Sequence, residues 1–222
     1  MKIDFDFRLL DVSMELLALE DHYELIEKQL EHLTLTEQVK LSEYRQKEHL
    51  SPQDPEWDFS RQECDHKVEF LLPRFFWGSF IISLYAVYET SVIEIANLLQ
   101  KNQKQEIGIN DLKGDFLERA KKYYKSILKF ELCSDAETWE RIRMLSVVRH
   151  AIAHANGRVD MINDNTNRKI KTWKKKDVGL NIDFNYLIID SKFANDTYKI
   201  INLSLIDMVN RYKEWDTNNK SV

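Results

Sequence analysis

Leu145-Ser146-Val147-Val148-Arg149-His150-Ala151-Ile152-Ala153-His154-Ala155-Asn156-Gly157 reads as the end of a helix that carries an arginine and two histidines on an otherwise apolar surface. At about 100° per residue, Leu145, Val148 and Ile152 share one broad face, with Ala151 and Ala155 at its margin, and that face belongs to a core. Arg143, His150 and His154 fall within about 40° of one another, because spacings of four, seven and eleven return to the same side of a helix. They form one polar ridge. Arg149 lies about 100° or more from it and reaches the histidines only around the helix or across a contact with another helix. Asn156-Gly157 closes the helix, since glycine tolerates the left-handed backbone of a C-cap.

Outward from this stretch, composition sets the class. A chain of 222 residues, 43% hydrophobic and 31% charged, is ample for one substantial core and somewhat short for two. Five glycines and three prolines are few for the many turns of an all-β protein. The expectation is an all-α chain: a helical bundle domain over residues 61–222 and an acidic helical extension over 1–60. Cys64 and Cys133 are too few and too far apart for a disulfide framework or a metal cage, which fits a reducing cytoplasm. Met1-Lys2-Ile3-Asp4-Phe5-Asp6 has no basic region followed by an apolar one, so no secretory signal is read. The apolar run from Phe75 to Tyr88 is shorter than the roughly 20 residues that span a bilayer, and reads as a buried helix with no membrane partner.

Residues 9–50 read as one long amphipathic helix or two in line, with Leu16, Leu17, Leu19, Tyr23, Ile26, Leu30, Leu33 and Leu41 near helical spacing. Residues 1–60 hold fifteen acidic against six basic residues, a net of −9, which leaves +4 for the remainder. Two meanings are open: an acidic extension that leaves the rest free to meet a polyanion, or an ordinary solvated face. Ser51-Pro52-Gln53-Asp54-Pro55-Glu56 breaks the helix and is the expected hinge. A central apolar helix begins beside Pro73 and runs through Leu99. Further helices are expected over 112–128, over Thr138–Ala155 after a capping start at Ser134-Asp135-Ala136-Glu137, and from Ser191 toward a frayed end at Asn218–Val222. Residues 168–190 read as a small hairpin or extended flap: six basic residues lie in Arg168–Lys176, and Leu180–Leu187 then alternates apolar and polar.

A histidine titrates near neutrality and can take a proton from a ribose 2′-hydroxyl or give one to a leaving 5′-oxygen. Arginine offers a permanently charged fork of donors to a phosphate as negative charge builds. The pair suffices for RNA cleavage without a metal. Here the chain resembles a family. Arginine, a polar residue, three small or apolar residues and a histidine, late in a helical domain, resemble the R-x4-6-H signature of the HEPN (higher eukaryotes and prokaryotes nucleotide-binding) superfamily, at Arg149, His150 and His154 over about residues 70 to 215.

The resemblance implies a HEPN-like helical bundle and a metal-independent endoribonuclease without cofactor, working in toxin–antitoxin, abortive infection or other stress and antiviral defence. Arg149 and His154 would be the principal catalytic pair, with His150 between them. It also implies a homodimer with a composite active site, an RNA substrate and an inhibitor or antitoxin partner. Family members regulated by a nucleotidyltransferase carry a tyrosine two positions after the motif histidine; Asn156 stands there, so that regulation is not carried over. Inactive HEPN proteins serve as interaction or nucleotide-sensing modules, which is the alternative.

Plainer roles stand beside each of these. His154 also suits a helix C-terminus through the dipole, and Arg143 and Arg149 suit a solvated surface. His150 and His154 have metal-like spacing, yet Ala151 occupies the glutamate position of an HExxH site and no third ligand is evident, so no metal is assigned. Arg143, Arg158, Lys171, Lys174, Lys175 and Lys176 are the candidate RNA phosphate contacts. Trp173 is either a base-stacking platform or a core residue.

Overall fold

Leu9, Val12, Leu16, Leu19 and Ile26 recur at helical spacing along α1 (Phe7–Lys47) and are all buried. The computed structural model describes residues 7–133 and 135–220. Residues 1–6, where the sequence reading found no secretory signal, Ser134 of the expected capping start, and residues 221 and 222, at the end expected to fray, lie outside the described residues. Six further α-helices follow in order: α2 (Pro55–Asp65), α3 (Leu72–Gln103), α4 (Phe116–Tyr123), α5 (Ala136–Ala155), α6 (Asp164–Lys174) and α7 (Ser191–Lys220). The described chain is mostly helical, with one two-stranded sheet, β1 (Leu180–Asp183) and β2 (Tyr186–Ile189), between α6 and α7.

The chain divides into two compact units, and the division does not fall at residue 60. One unit holds α1 up to Leu19, Ser83–Val148 and the chain from Asp196 on; the other holds Glu20–Ile82 and Arg149–Asn195. The apolar stripe of the acidic segment contributes Leu9, Val12, Leu16 and Leu19 to the first unit and Ile26 to the second.

In the first unit the core comes from α3 (Leu84, Tyr88, Val92, Ile95, Leu99), α5 (Ile142, Leu145, Val148) and α7 (Ile201, Leu205, Met208). Tyr124 Oη donates to Val92 O at 2.6 Å, and Tyr198 Oη donates to Leu16 O at 3.1 Å. The expected helix over 112–128 starts late. Gly114 holds φ +117°, outside helical geometry, and Asp115 then caps α4 by accepting from Glu118 N at 3.1 Å. Asp135 opens α5 in the same way, accepting from Thr138 N at 2.7 Å.

In the second unit α3 begins at Leu72, beside Pro73 as expected, but not as a free helix start: Pro55 opens α2, and α2 runs into α3 through a π-helical turn at His66–Leu71. Proline brings no N–H to the ladder and crowds the carbonyl four residues back. The wider turn gives that ring room, with Leu72 N donating to Lys67 O across five residues. The helical run Pro55–Gln103 contains an 18-residue window of mean hydropathy 1.5, long and apolar enough to cross a bilayer by length and composition alone. Within it Phe80, Ile81, Leu84, Val92, Ile95, Ala96 and Leu99 are fully buried, as in a core helix.

The expected flap is only partly extended. Asp164–Lys174 is helical, capped by Asn163, which accepts from Thr166 N at 2.9 Å, and Ile170 and Trp173 bury one face. The strands pair antiparallel with Leu180 opposite Ile189 and Asp183 opposite Tyr186. Phe184 and Asn185 turn between them at φ +44° and +65°, a backbone that matches the twist of a tight hairpin. Asp190, rather than Ser191, caps α7 by accepting from Phe193 N at 2.9 Å.

Candidate functional site at the end of helix α5

The C-terminal turn of α5 ends in a left-handed cap. Asn156 takes φ +49° and Gly157 φ +76°, and Gly157 N donates to Ala151 O at 3.0 Å. The left-handed cap position is thus the asparagine, one residue earlier than the glycine to which the sequence pointed. Beyond it the hairpin holds the chain: Leu187 N donates to Gly157 O at 2.8 Å, and Val159 N to Asn185 O at 2.9 Å. The residues following His154 are fixed by β2 rather than left as a loop.

This frame presents the histidines. His150 and His154 are both exposed, and their ring centroids lie 4.5 Å apart with planes at 46°. Arg149 is half-buried. Partial burial, then the neighbouring His154 and the Arg149 guanidinium, lower the pKa of His150 below the ordinary histidine value.

His154 also lines an open cleft of about 620 Å³. Arg74, Phe75, Ser79 and Ile82 of α3 form one wall, and Asn156, Arg158 and Met161 another. No aspartate or glutamate lines it. Arg74 is set among rings, its guanidinium carbon 4.2 Å from the Tyr186 ring centre, 4.8 Å from Phe75 and 5.2 Å from Phe70. Its Nε and Nη1 are buried without a hydrogen-bond partner, and no carboxylate pairs with it among the described residues.

The other candidates are dispersed. Arg149 and His150 do not line the His154 cleft. Arg143 pairs with Glu140 at 3.3 Å. Arg158 reaches the cleft but is engaged by Asp160 through two hydrogen bonds, at 3.1 and 2.6 Å, and this partner holds the Asp160 carboxyl below the usual carboxylate range. Lys171, Lys174, Lys175 and Lys176 are exposed on and after α6, with Lys174 Nζ 3.5 Å from Ile182 O. Trp173 is 5% exposed, so it is a core residue here and offers no face to a base.

Sequence reasoning missed Arg74. Its signal was a lone cation beside Pro73 in the apolar run before Ile82. Its rings, Phe70 and Tyr186, are more than a hundred residues apart in the chain, which no local pattern reveals. Among the described residues no three His, Cys, Asp or Glu side chains converge to hold a metal ion. Comparison with protein-family models, curated proteins and solved structures gives no match to this chain.

Proposed function

We propose that this chain is a metal-independent endoribonuclease with a HEPN-like helical fold. The observation that carries this is the closely spaced His150–His154 pair at the end of α5, with His154 opening onto a cleft that has arginines and no carboxylate in its walls. Phosphate is repelled by carboxylates and drawn to guanidinium groups, so such a wall suits an RNA backbone. His154 takes the proton of a ribose 2′-hydroxyl or returns one to the leaving 5′-oxygen. The 2′-oxygen attacks its own phosphorus, the bond to the 5′-oxygen breaks, and the products are a 2′,3′-cyclic phosphate and a 5′-hydroxyl. Arg149 meets the charge that develops on the phosphoryl oxygens.

Arg149 stands off the cleft wall, which favours its supply from a second protomer in a homodimer with a composite site. Lys171, Lys174, Lys175 and Lys176 offer exposed charge to flanking phosphates. A nuclease of this kind belongs in the cytoplasm in a defence or toxin–antitoxin setting, restrained by an inhibitor or antitoxin. The same position of Arg149 favours the second proposal, an inactive interaction or nucleotide-sensing module.

The test is incubation of purified protein with total cellular RNA and EDTA, followed by end analysis. The expected products carry 2′,3′-cyclic phosphate, and His154→Ala lowers the rate by about 10²-fold or more, the scale of losing a general acid or base. Cleavage that EDTA abolishes, or that His154→Ala leaves unchanged, overturns the proposal. Nucleotide-induced thermal stabilisation without cleavage selects the module instead.

A further inference from the structure

A guanidinium packed between aromatic rings is stripped of much of its water, and a desolvated cation without a counter-charge is costly. Arg74 is in that position. The cleft it walls is about 620 Å³, within the range of about 300–1,000 Å³ found for small-molecule sites.

Elimination among the lining groups singles Arg74 out. The carbonyl end of α5 reaches the same cleft, and its partial negative charge repels an anion rather than holding one. Arg158 is already held by Asp160. Ser79 Oγ donates to Phe76 O at 2.8 Å, which occupies its proton. Arg74 is the remaining permanent cation of the wall. The rim is apolar, with Phe75 55%, Met161 64% and Ile82 37% exposed. An anchored anion beside an exposed phenyl ring suits a phosphoryl group attached to a flat base.

We infer that Arg74 is the phosphate anchor of the His154 cleft, which binds one nucleotide unit with its phosphate on Arg74 and its base against Phe75. The ribonuclease proposal supplies the nucleotide as substrate class; the anion site stands on the cleft alone. The rings hold the guanidinium in one orientation before the ligand arrives, so little side-chain freedom is lost on binding.

The experiment is an NMR titration of the full chain with inorganic phosphate and, separately, with uridine 3′-monophosphate. The Arg74 guanidinium N–H and His154 ring C–H signals should move together with one Kd, and the nucleotide should bind more tightly than phosphate. Arg211 is the internal control: it lies 5.0 Å over the Phe130 ring but is paired with Asp207 at 2.9 Å, and its signals should stay still. Arg74→Lys keeps the charge and loses the planar fork; it should weaken phosphate binding by about 10-fold or more, the scale of one charge-assisted hydrogen-bonded anchor. Phe75→Ala should remove the advantage of the nucleotide and leave phosphate affinity unchanged.

Arg74 signals unmoved by either ligand, or full affinity in Arg74→Lys, overturn the inference. The parent titration decides it even if the variant unfolds. RNA cleavage by the parent with Arg74 unmoved removes the inference and leaves the ribonuclease standing. A phosphate response with cleavage unchanged in His154→Ala does the reverse.

Discussion

His150 and His154 lie one turn apart on α5, ring centroids 4.5 Å apart and planes tilted by 46°, and that contact bears on the protonation of His150. Burial comes first, then the charges of His154 and Arg149; all favour the neutral imidazole at His150. In an NMR titration His150 should therefore change charge below the ordinary value of about 6.5. His154→Ala should raise that midpoint part of the way, since burial remains. An unmoved midpoint would assign the effect to burial and Arg149, with no share for His154. The linkage has a definite sign: the unfolded chain binds this proton more tightly than the folded one. The contribution to stability is complete above about pH 6.5, is lost as pH falls toward the folded value, and is level below it. His150→Gln should remove that slope from the melting temperature.

Mixing Arg149→Ala with His154→Ala protein tests a shared site. Each variant alone should be inactive, and the mixture should recover up to about a quarter of parental activity if random two-fold exchange leaves one intact site in half of the dimers. A mixture as inactive as its parts, in chains that sedimentation shows to be dimeric, would place Arg149 and His154 in one protomer.

Two tyrosines of the first unit should answer oppositely to losing a hydroxyl. Tyr124 Oη donates to Val92 O at 2.6 Å, and Tyr124→Phe should cost about 1 kcal/mol, removing a buried hydrogen bond that this carbonyl accepts besides its place in the α3 ladder. Tyr88 is 1% exposed and its hydroxyl has no hydrogen-bond partner, so Tyr88→Phe should be neutral or stabilising. Chemical denaturation of both variants checks the contrast.

Trp173→Ala should destabilise the fold by about 3–5 kcal/mol, the cost of emptying a core tryptophan site, because its side chain is 5% exposed. Replacing Lys171, Lys175 and Lys176 by glutamine should leave the melting temperature nearly unchanged. It should flatten the log–log salt dependence of RNA binding by about 0.7 for each phosphate that a lysine no longer neutralises. An unchanged slope would take this side of α6 out of the RNA-binding surface.

The helical class, α1, the motif helix and the last helix were legible because each repeats apolar residues at helical spacing over many turns. Boundaries were less so. Pro73 resembles a helix start, yet a π-helical turn absorbs the defect within one continuous run. Trp173 sat among lysines and read equally as flap or core; Ile170, three residues earlier and fully buried, shows that the two form the apolar face of α6. In the site, the nearness of His150 and His154 followed from their spacing. The cleft did not, because Arg74, His154 and Leu187 come from three separate stretches and their meeting is a tertiary fact.

The hairpin has one covered side and one open side. β2 is tied to Gly157 and Val159, whereas β1 turns its outer edge away from its partner, and α6 lies against it with Lys174 Nζ 3.5 Å from Ile182 O. A bare strand edge templates pairing with another chain, and a lysine at the edge is one of the devices that prevents it. Lys174 stands where such a guard would stand, over the Ile182 carbonyl, as well as being a surface charge. Shortening it would free the Ile182 carbonyl of this cover, whereas Lys175 and Lys176 make no hydrogen bond to β1 among the described residues and can be neutralised without that change.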